Sequence, residues 1–289
     1  MVDSKEKKIF DAPRFTPFEI VGREEVSHTS IILTLRPKGI PQDAVDKMTP
    51  YKDSWQNGVW SVEMKQPELQ IARRYTPLPP VEGTSKSDLR FLIRKEHKGE
   101  MSGYLHTLPI GAEIALRGPH EEYNVPNEAQ KVLFLAGGTG IAPALQIAHT
   151  LLDRTDSYGR RPRIHILWAN RRREDCEGGT SAIVPTSRSR KNRMVQDIEE
   201  LQQKYSKSLS VEYLVDEEGS VLDPKKLSLL VQADTNDTSA GRLLLISGPE
   251  GFVNYFAGPK KWEGGKEDQG SLGGVLGRQG LKGWTVWKL

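Results

Sequence analysis

The feature that most constrains the fold is a change of pattern near residue 127 of this 289-residue chain. Before it, short segments rich in β-branched and aromatic residues, such as SIILTLRP and DLRFLIRKE, are separated by turn residues and predict a small antiparallel barrel. After it, apolar segments such as KVLFLA and RIHILWA alternate with segments of helical periodicity, which predicts a parallel sheet with covered faces. We therefore predict a β-barrel domain at residues 1–126 and an α/β domain at residues 127–289.

Polar segments containing proline and glycine predict loops at residues 37–58 and 80–87. Residues 258–283 hold nine glycines, which is too many for an ordinary helix, although GVLGRQGL within this tail is compatible with a tightly packed one.

Composition excludes several classes of protein. The single cysteine, Cys176, rules out an intramolecular disulfide framework and any cluster held by several thiolates, and the six histidines show no metal-binding spacing. The 41 basic and 38 acidic residues give a net charge of +3, which requires no polyanionic partner. No apolar run approaches the 18 residues of a membrane span, and MVDSKEKKIF lacks the apolar core of a signal peptide. We expect a soluble chain with no metal site.

The segment FLAGGTGIAPAL is the clearest candidate for nucleotide binding. Gly137, Gly138 and Gly140 follow a buried strand, and Pro143 lies where a helix is expected to begin. Exposed amides and the positive end of the helix dipole would then converge on one spot, which suits a pyrophosphate. A tight strand-helix connection that binds nothing would produce the same pattern.

Two further segments extend this candidate site. RLLLISGPEGF ends a later strand and continues through Gly248 and Pro249, so its loop is expected to face the glycine turn across a crevice. In HKGEMSGYLHTL, Ser102 is expected to cap a short helix whose first amides could hold a second phosphate pair, although an ordinary capped helix would explain the same residues.

The order of these motifs, with ARRYTPLPP upstream and RGP between them, resembles the ferredoxin-NADP reductase superfamily, including its cytochrome b-type reductases. This resemblance covers nearly the whole chain. The ending GGVLGRQGLKGWTVWKL is more narrowly similar to fungal mitochondrial cytochrome c import factors.

The resemblance implies an FAD-binding first domain. Arg73 would pair with the FAD pyrophosphate, Tyr75 would lie along the flavin ring, and Thr76 would place a hydroxyl near flavin N5. Arg74 would point to the opposite face of the strand, because side chains alternate. The remaining FAD contacts implied by the family are Ile93, Arg94 and Lys95 beside the adenylate half, and Gly99, Met101 and Ser102 at the diphosphate.

The same resemblance implies a nicotinamide nucleotide at the second domain. Thr139 would contact the flavin, while Gly137, Gly138, Gly140 and Pro143, together with Gly248 and Pro249, would form the nucleotide site. Arg171, Arg172 and Arg173 lie where the family meets the adenosine ribose, so they would either neutralise a 2′-phosphate or form a basic surface turn. The preference between NADPH and NADH therefore stays open.

One position departs from the family pattern. Many relatives have a cysteine near the nicotinamide where this chain has Ser247, so the catalytic set Tyr75, Thr76, Thr139 and Ser247 is expected to work with a hydroxyl in place of a thiol. Cys176 follows the arginine segment and does not replace it, so a structural or incidental role is expected for it.

The resulting hypothesis is an NAD(P)H-dependent flavoprotein reductase that passes electrons through FAD to a haem protein, with cytochrome c during its maturation as the implied acceptor. The alternative is a flavin-binding cytochrome assembly factor with little turnover. Nucleic-acid binding through SRSRKNR is disfavoured, because no aromatic residue interrupts that segment to stack on bases. The resemblance implies association with the mitochondrial inner membrane, with a cytosolic location as the alternative.

Overall fold

A computed structural model of the chain describes residues 11–39, 51–154, 161–179, 191–232 and 241–289. The chain divides into two compact units, Met1–Asn124 and Val125–Leu289. The first unit is an antiparallel β domain, and the second is built on a parallel sheet.

The first unit contains one six-stranded antiparallel sheet in the order β4-β3-β6-β1-β2-β5. Its strands are β1 Thr16–Ser27, β2 Ser30–Pro37, β3 Gly58–Gln66, β4 Ile71–Tyr75, β5 Leu89–Arg94 and β6 Glu113–Asn124. An isolated bridge between Leu78 and Arg90 joins the chain after β4 to the opposite edge strand, β5. This bridge closes the curl of the sheet, so the predicted barrel-like antiparallel domain is confirmed.

Alternating apolar residues fill the inside of this curled sheet. Phe18, Ile20, Leu33 and Leu35 are fully buried in one cluster, as expected for strands that have one face packed against a core. Helix α2, Glu100–Thr107, packs against β3, β4 and β5 and adds Leu105 to the same cluster.

The predicted loop at residues 37–58 is wrong over its last part. Helix α1 spans Lys52–Asn57 and is held by aromatic contacts to β3. The ring of Trp55 lies 4.9 Å, centroid to centroid, from that of Trp60, and Tyr51 stacks on Trp60 at 5.6 Å. Packing of this kind overrides the loop-like composition of the segment, which propensity alone cannot show. Residues 40–50 lie outside the described residues.

The second unit contains a five-stranded parallel sheet in the order β13-β10-β7-β8-β9, with a separate β11-β12 hairpin. Its strands are β7 Lys131–Gly137, β8 Arg163–Asn170, β9 Leu209–Val215, β10 Arg242–Ser247, β11 Lys261–Glu263, β12 Lys266–Asp268 and β13 Trp284–Lys288. Its helices are α3 Ile141–Leu152, α4 Arg193–Lys204, α5 Pro224–Gln232 and α6 Glu250–Ala257. The predicted parallel α/β domain is therefore confirmed.

The glycine-rich tail is an ordered part of this unit. GVLGRQGL forms only a short 3-10 turn, Leu276–Arg278, so a longer helix is absent there. Strand β13 then pairs with β10, and the buried Lys288 ammonium donates to the carbonyls of Gly258, Pro259 and Ser271 at 2.9–3.3 Å. Burial lowers the pKa of Lys288. These bonds tie the base of the hairpin to the end of the sheet.

Within the described ranges, no helix combines the length and the apolar character that a membrane span requires.

Candidate functional site

Strand β4 presents its two arginines on opposite faces. Arg73 is paired in register with the buried Met64 and Arg74 with Glu63, so Arg73 shares a face with Tyr75 while Arg74 lies on the other. The exposed Arg73 guanidinium donates to the Ala72 carbonyl at 2.8 Å. Its exposed position leaves this guanidinium accessible to solvent.

Arg74 belongs to a separate ion-pair group. Its Nε lies 3.8 Å from a Glu63 carboxylate oxygen, and Arg117 bonds the other oxygen of the same carboxylate. Glu63 therefore compensates the Arg74 charge on the face of β4 that points away from Tyr75. The two arginines thus lie on opposite faces, as the alternation of side chains along a strand predicts.

Tyr75 connects β4 to the loop before α2. Its ring packs against the core of the first unit. Burial raises the pKa of Tyr75 to about 12, with an opposing effect of Arg73 and a smaller raising effect of Glu96. The Tyr75 phenol therefore lies close enough to Arg73, and to Glu96 in the loop before α2, for both charges to affect its pKa. Thr76 follows it, half-buried, and the chain then enters the buried Pro77 and Leu78.

The start of α2 differs from the prediction for Ser102. Gly99, not Ser102, is the N-cap residue, and Ser102 lies in the first turn of the helix. Its hydroxyl accepts from the Glu96 amide at 3.0 Å and donates to the Gly99 carbonyl at 3.1 Å, so it closes the preceding loop. A methyl group on Gly99 would lie 2.5 Å from that hydroxyl, which explains the glycine. Lys98, with φ 60°, completes this tight turn.

The neighbouring predicted FAD contacts divide into core and surface residues. Ile93 and Met101 are 1% and 3% exposed and belong to the core, so only their main chain is available to a ligand. The Ile93 carbonyl already contacts His106 Nε2 at 3.2 Å. Arg94 is half-buried and Lys95 exposed, and the Lys95 amide donates to the Thr29 carbonyl.

The residues in this unit fit the FAD that the resemblance implies. An exposed guanidinium and an aromatic ring share one face of an edge strand, and α2 packs against that strand. The first amides of a helix lack partners within the helix and favour phosphate. A cation, a flat apolar surface and a helix N-terminus together match the charged and aromatic parts of a flavin dinucleotide.

In the second unit, two glycine-containing loops pack directly against each other. They follow β7 and β10, which are neighbours in the sheet with Ala136 opposite Ser247. A Cβ atom on Gly140 would lie 2.2 Å from the Ser247 carbonyl oxygen, and one on Gly137 would lie 2.9 Å from the Phe252 ring. Side chains are therefore excluded where the two loops meet, and the expected crevice outside this edge of the sheet stays a prediction.

The remaining predicted residues lie at the same carboxyl edge of the sheet. Gly138–Gly140 form a 3-10 turn in which Gly138 has φ 52°, and the half-buried Thr139 is its middle residue. Pro143 occupies the third position of α3, where a missing amide costs no helical bond. Gly248 follows Ser247, and Pro249 is the N-cap residue of α6. Two helix N-termini thus begin beside the glycine turn.

Trp168 is a supporting residue that the sequence analysis missed. Its buried indole Nε1 donates to the Gly138 carbonyl at 2.8 Å, and its ring contacts Tyr213. This bond fixes the turn residue that has the positive φ angle. The signal in the sequence was a tryptophan within a buried strand, because a buried indole N–H needs a hydrogen-bond acceptor.

The arginine segment after β8 is largely committed to internal ion pairs. Arg173 donates to both carboxylate oxygens of Glu218, with Nε at 2.7 Å, and its amide donates to Glu217 at 2.7 Å. The hydrogen bond between the two side chains raises the pKa of Arg173 and lowers that of Glu218. Arg172 lies 3.4 Å from Glu174, and the Arg171 side chain is exposed. Three arginines therefore do not form an uncompensated basic patch.

Cys176 is fully buried below this segment. Burial raises the pKa of its thiol to about 12, and Arg173 Nη1 lies 3.5 Å from the sulfur. A protonated buried thiol is a poor nucleophile, so the packing role fits the structure. The basic residues at 188–190 lie outside the described residues. Among the described residues, no three His, Cys, Asp or Glu side chains are grouped as metal ligands.

Comparison with known families supports the assignment of both units. Residues 57–125 match the family described as oxidoreductase FAD-binding domain, and residues 134–178 match oxidoreductase NAD-binding domain.

Two relatives show the range of similarity. The chain is 25% identical to the NADH-cytochrome b5 reductase 2-A of Vanderwaltozyma polyspora, covering 75% of this chain and 67% of the relative. It is also 25% identical to the cytochrome c mitochondrial import factor of Saccharomyces cerevisiae, covering 95% of this chain and 82% of the relative.

Solved structures share the fold. The cytochrome b5 reductase domain of Ulva prolifera nitrate reductase aligns with a TM-score of 0.59 at 16% identity, covering 86% of this chain and 92% of that one. Ferredoxin-NADP+ reductase from Plasmodium falciparum aligns with a TM-score of 0.56 at 18% identity, covering 85% and 92%. The chain therefore carries an oxidoreductase FAD-binding domain and an oxidoreductase NAD-binding domain, and these domains, with the similarity to NADH-cytochrome b5 reductases, support an NAD(P)H-dependent flavoprotein reductase.

Proposed function

We propose that the chain passes electrons from NADH through FAD to a one-electron acceptor that is a haem protein. The observation that carries the proposal is the presence of two candidate sites in one chain. One is the face of β4 that carries Arg73 and Tyr75 beside α2, and the other is the pair of glycine-containing loops after β7 and β10. The relatives whose names refer to cytochrome b5 and cytochrome c support a haem acceptor.

The first unit would hold the flavin. Bound FAD supplies the chemistry that divides a two-electron donor into single electrons. Arg73 would bind the pyrophosphate through charge-assisted hydrogen bonds, aided by the amides at the start of α2 near Met101 and Ser102. The Tyr75 ring would hold the flavin flat, and Thr76 would direct a hydroxyl at N5. Arg94 and Lys95 would lie beside the adenylate half.

The second unit would hold the nicotinamide nucleotide. The glycine turn, with Thr139 at its centre, and the N-termini of α3 and α6 would bind the diphosphate and position the ring. Ser247 would orient the carboxamide or ring edge with a hydroxyl. The bond from Trp168 to Gly138 would keep the turn in one conformation.

Preference for NADH over NADPH follows from the ion pairs after β8. A 2′-phosphate placed near Arg171 and Arg172 would find Arg173 already bonded to Glu218, and it would also meet the carboxylates of Glu217 and Glu174. Like charges close to a phosphate disfavour its binding, whereas a ribose hydroxyl can donate to a carboxylate. The sequence left two alternatives for Arg171, Arg172 and Arg173, a 2′-phosphate site and a basic surface turn. These ion pairs favour the surface turn.

The test is anaerobic stopped-flow mixing of the FAD-loaded protein with NADH or NADPH. We expect the flavin absorbance to bleach faster with NADH, and the reduced protein to reduce cytochrome c or cytochrome b5 when mixed with either. Absence of bleaching with both nucleotides would refute the reductase. Faster bleaching with NADPH would refute only the proposed preference.

A second candidate is a flavin-binding assembly factor with little turnover. Ser247, at the position where many family members have cysteine, favours it, as does the relative named as a cytochrome c mitochondrial import factor. It predicts an FAD-loaded protein that binds a cytochrome in pull-down experiments but is reduced by neither nucleotide. The name of that relative also supports a mitochondrial location. We extend the proposal to the inner membrane, with the cytosol as the alternative, and fractionation of cells that express the tagged protein separates these locations.

A further inference from the structure

A basic cavity lies at the edge of the parallel sheet where its strands begin. Its volume is about 240 Å³, and Lys131, Arg163, His165 and the segment 206–210 contribute to its lining. These residues come from the starts of β7 and β8 and from the turn and first residues of β9. Lys131 and Gly137 are the two ends of β7, so at about 3.3 Å per residue roughly 20 Å separate the basic cavity from the glycine turn. The cavity is therefore separate from the nucleotide site proposed above.

Positive charge is concentrated on one face of the sheet at this edge. Lys131 stands in register opposite Arg163 on one side and opposite Arg242 on the other, and residues in register share a face. Lys207 adds a further cation, and among the described residues that line the basic cavity none is acidic. Like charges placed directly opposite each other are destabilising. An anion bound beside this row would offset that cost.

His165 adds a polar group to the wall of the basic cavity. Its Nδ1 lies 2.6 Å from the Ser210 hydroxyl, and its buried Nε2 has no hydrogen-bond partner within the part of the chain that the structure describes. Burial lowers the pKa of His165, and the Lys131 charge contributes, so the imidazole is uncharged at neutral pH. Glu212 opposes this shift but is itself paired with Lys226. When the Ser210 hydroxyl donates to Nδ1, Nε2 carries the hydrogen and needs an acceptor, which a ligand can supply if the ring turns toward the cavity.

We propose that the basic cavity binds a small soluble phosphate, either the inorganic ion or a phosphomonoester. Arg163 can bind phosphate oxygens with two parallel N–H groups, while Lys131 and Lys207 contribute point charges. The hydroxyls of Ser206 and Ser208 are further donors in the same wall. Pockets for drug-sized ligands measure about 300–1,000 Å³, so a smaller cavity suits a phosphate group better than a dinucleotide. This inference does not rest on the proposed function.

The test is calorimetric titration of the FAD-loaded protein with inorganic phosphate, at an ionic strength held constant with sodium chloride. Saturating NAD⁺ is present to occupy the glycine loops. We expect one saturable site in the unaltered protein and a Tm that rises with phosphate concentration. The double variant Arg163→Gln with Lys207→Gln should bind phosphate at least about tenfold more weakly, because it loses two charge-assisted contacts. Lys207→Gln alone, at an exposed turn, repeats the titration if the double variant does not fold, with an expected loss of a few-fold.

Lys225→Gln with Arg278→Gln is the matched control. It removes the same two charges from exposed positions of the same unit that do not line the basic cavity. Its phosphate affinity should equal that of the unaltered protein. Absence of saturable binding in the unaltered protein would overturn the inference, and so would an equal loss in the two double variants, which would report net charge alone.

Sedimentation with vesicles that contain phosphatidic acid tests a lipid as the source of the phosphate. Vesicle binding that depends on Arg163 and Lys207, without binding of free phosphate, would overturn the assignment to a soluble ligand. The outcome is also separable from that of the proposed function. If NADH fails to reduce the flavin but phosphate binding depends on Arg163 and Lys207, the reductase proposal fails while this site stands.

Discussion

Replacing Arg73 by alanine should weaken FAD retention far more than the same change at Arg74. Arg73 directs its exposed guanidinium from the face that carries Tyr75, and its hydrogen bond in the structure is to the Ala72 carbonyl. A hydrogen bond to a charged group contributes about 1.5–3 kcal/mol, and each 1.4 kcal/mol is a factor of ten in affinity. The Kd for FAD should therefore rise roughly 10- to 100-fold.

Arg74 offers a control of the same residue type one position away. Its side chain is 55% exposed and lies 3.8 Å from Glu63, a carboxylate that Arg117 also bonds. An exposed pair of this kind contributes about 0–1 kcal/mol to stability, and Arg117 continues to compensate Glu63 after the change. We expect FAD affinity in Arg74→Ala to change by about twofold or less.

The assay is equilibrium titration of each apoprotein with FAD at fixed ionic strength, followed by the quenching of flavin fluorescence. Arg73→Lys separates charge from geometry, because lysine keeps the charge but cannot form the bidentate contact, and it should fall between alanine and arginine. Equal losses in the two alanine variants would refute the assignment of faces on β4. A larger loss in Arg74→Ala would reverse it.

Three further changes probe the second unit. Gly140→Ala places a Cβ 2.2 Å from the Ser247 carbonyl and should lower Tm by roughly 4–10 °C, whereas Gly251→Ala, with open space at its Cβ, should not; scanning calorimetry compares them. Glu218→Gln should destabilise the protein at neutral pH. Because Arg173 lowers the pKa of Glu218, the contribution is lost as pH falls through that lowered value, so the two melting curves should converge below pH 4.5; a gap that persists in acid contradicts the pairing. Trp168→Phe keeps the ring but removes the bond to Gly138, so the KM for NADH should rise a few-fold with little change in Tm, and an unchanged KM argues against the positioning role.

The secondary structure of both units was largely readable from periodicity. SIILTLRP was predicted as a strand and is β2 with the same bounds, and KVLFLA and RIHILWA lie in β7 and β8. These segments carry either an alternating or a continuous apolar pattern, and burial on one or two sheet faces produces each pattern directly. The local pattern therefore sufficed for strands whose burial against the core is visible in their own residues.

Prediction failed where distant contacts decide the local structure. Helix α1 depends on Trp55 and Tyr51 meeting Trp60, and β13 depends on pairing with β10 and on the carbonyls that Lys288 collects. Neither set of partners is visible in the segment itself. Ser102 was misplaced for a related reason, since its hydroxyl can bond either as a cap or back to the preceding loop, and only the position of Glu96 selects the second.

The glycines of the turn after β7 are required by the packing of the protein itself, whether or not a nucleotide binds there. Gly137 and Gly140 were assigned to make room for a nucleotide, yet each is already required by the β10 loop, through Phe252 and the Ser247 carbonyl, and Gly138 is required by its φ of 52°. The nucleotide assignment therefore rests on the carboxyl edge of the sheet and on the family match, and not on the glycines alone. The two reasons separate in Gly140→Ala, because loop packing predicts a lower Tm before any nucleotide is added. A site kept open only for nucleotide predicts an unchanged Tm and weaker NADH binding.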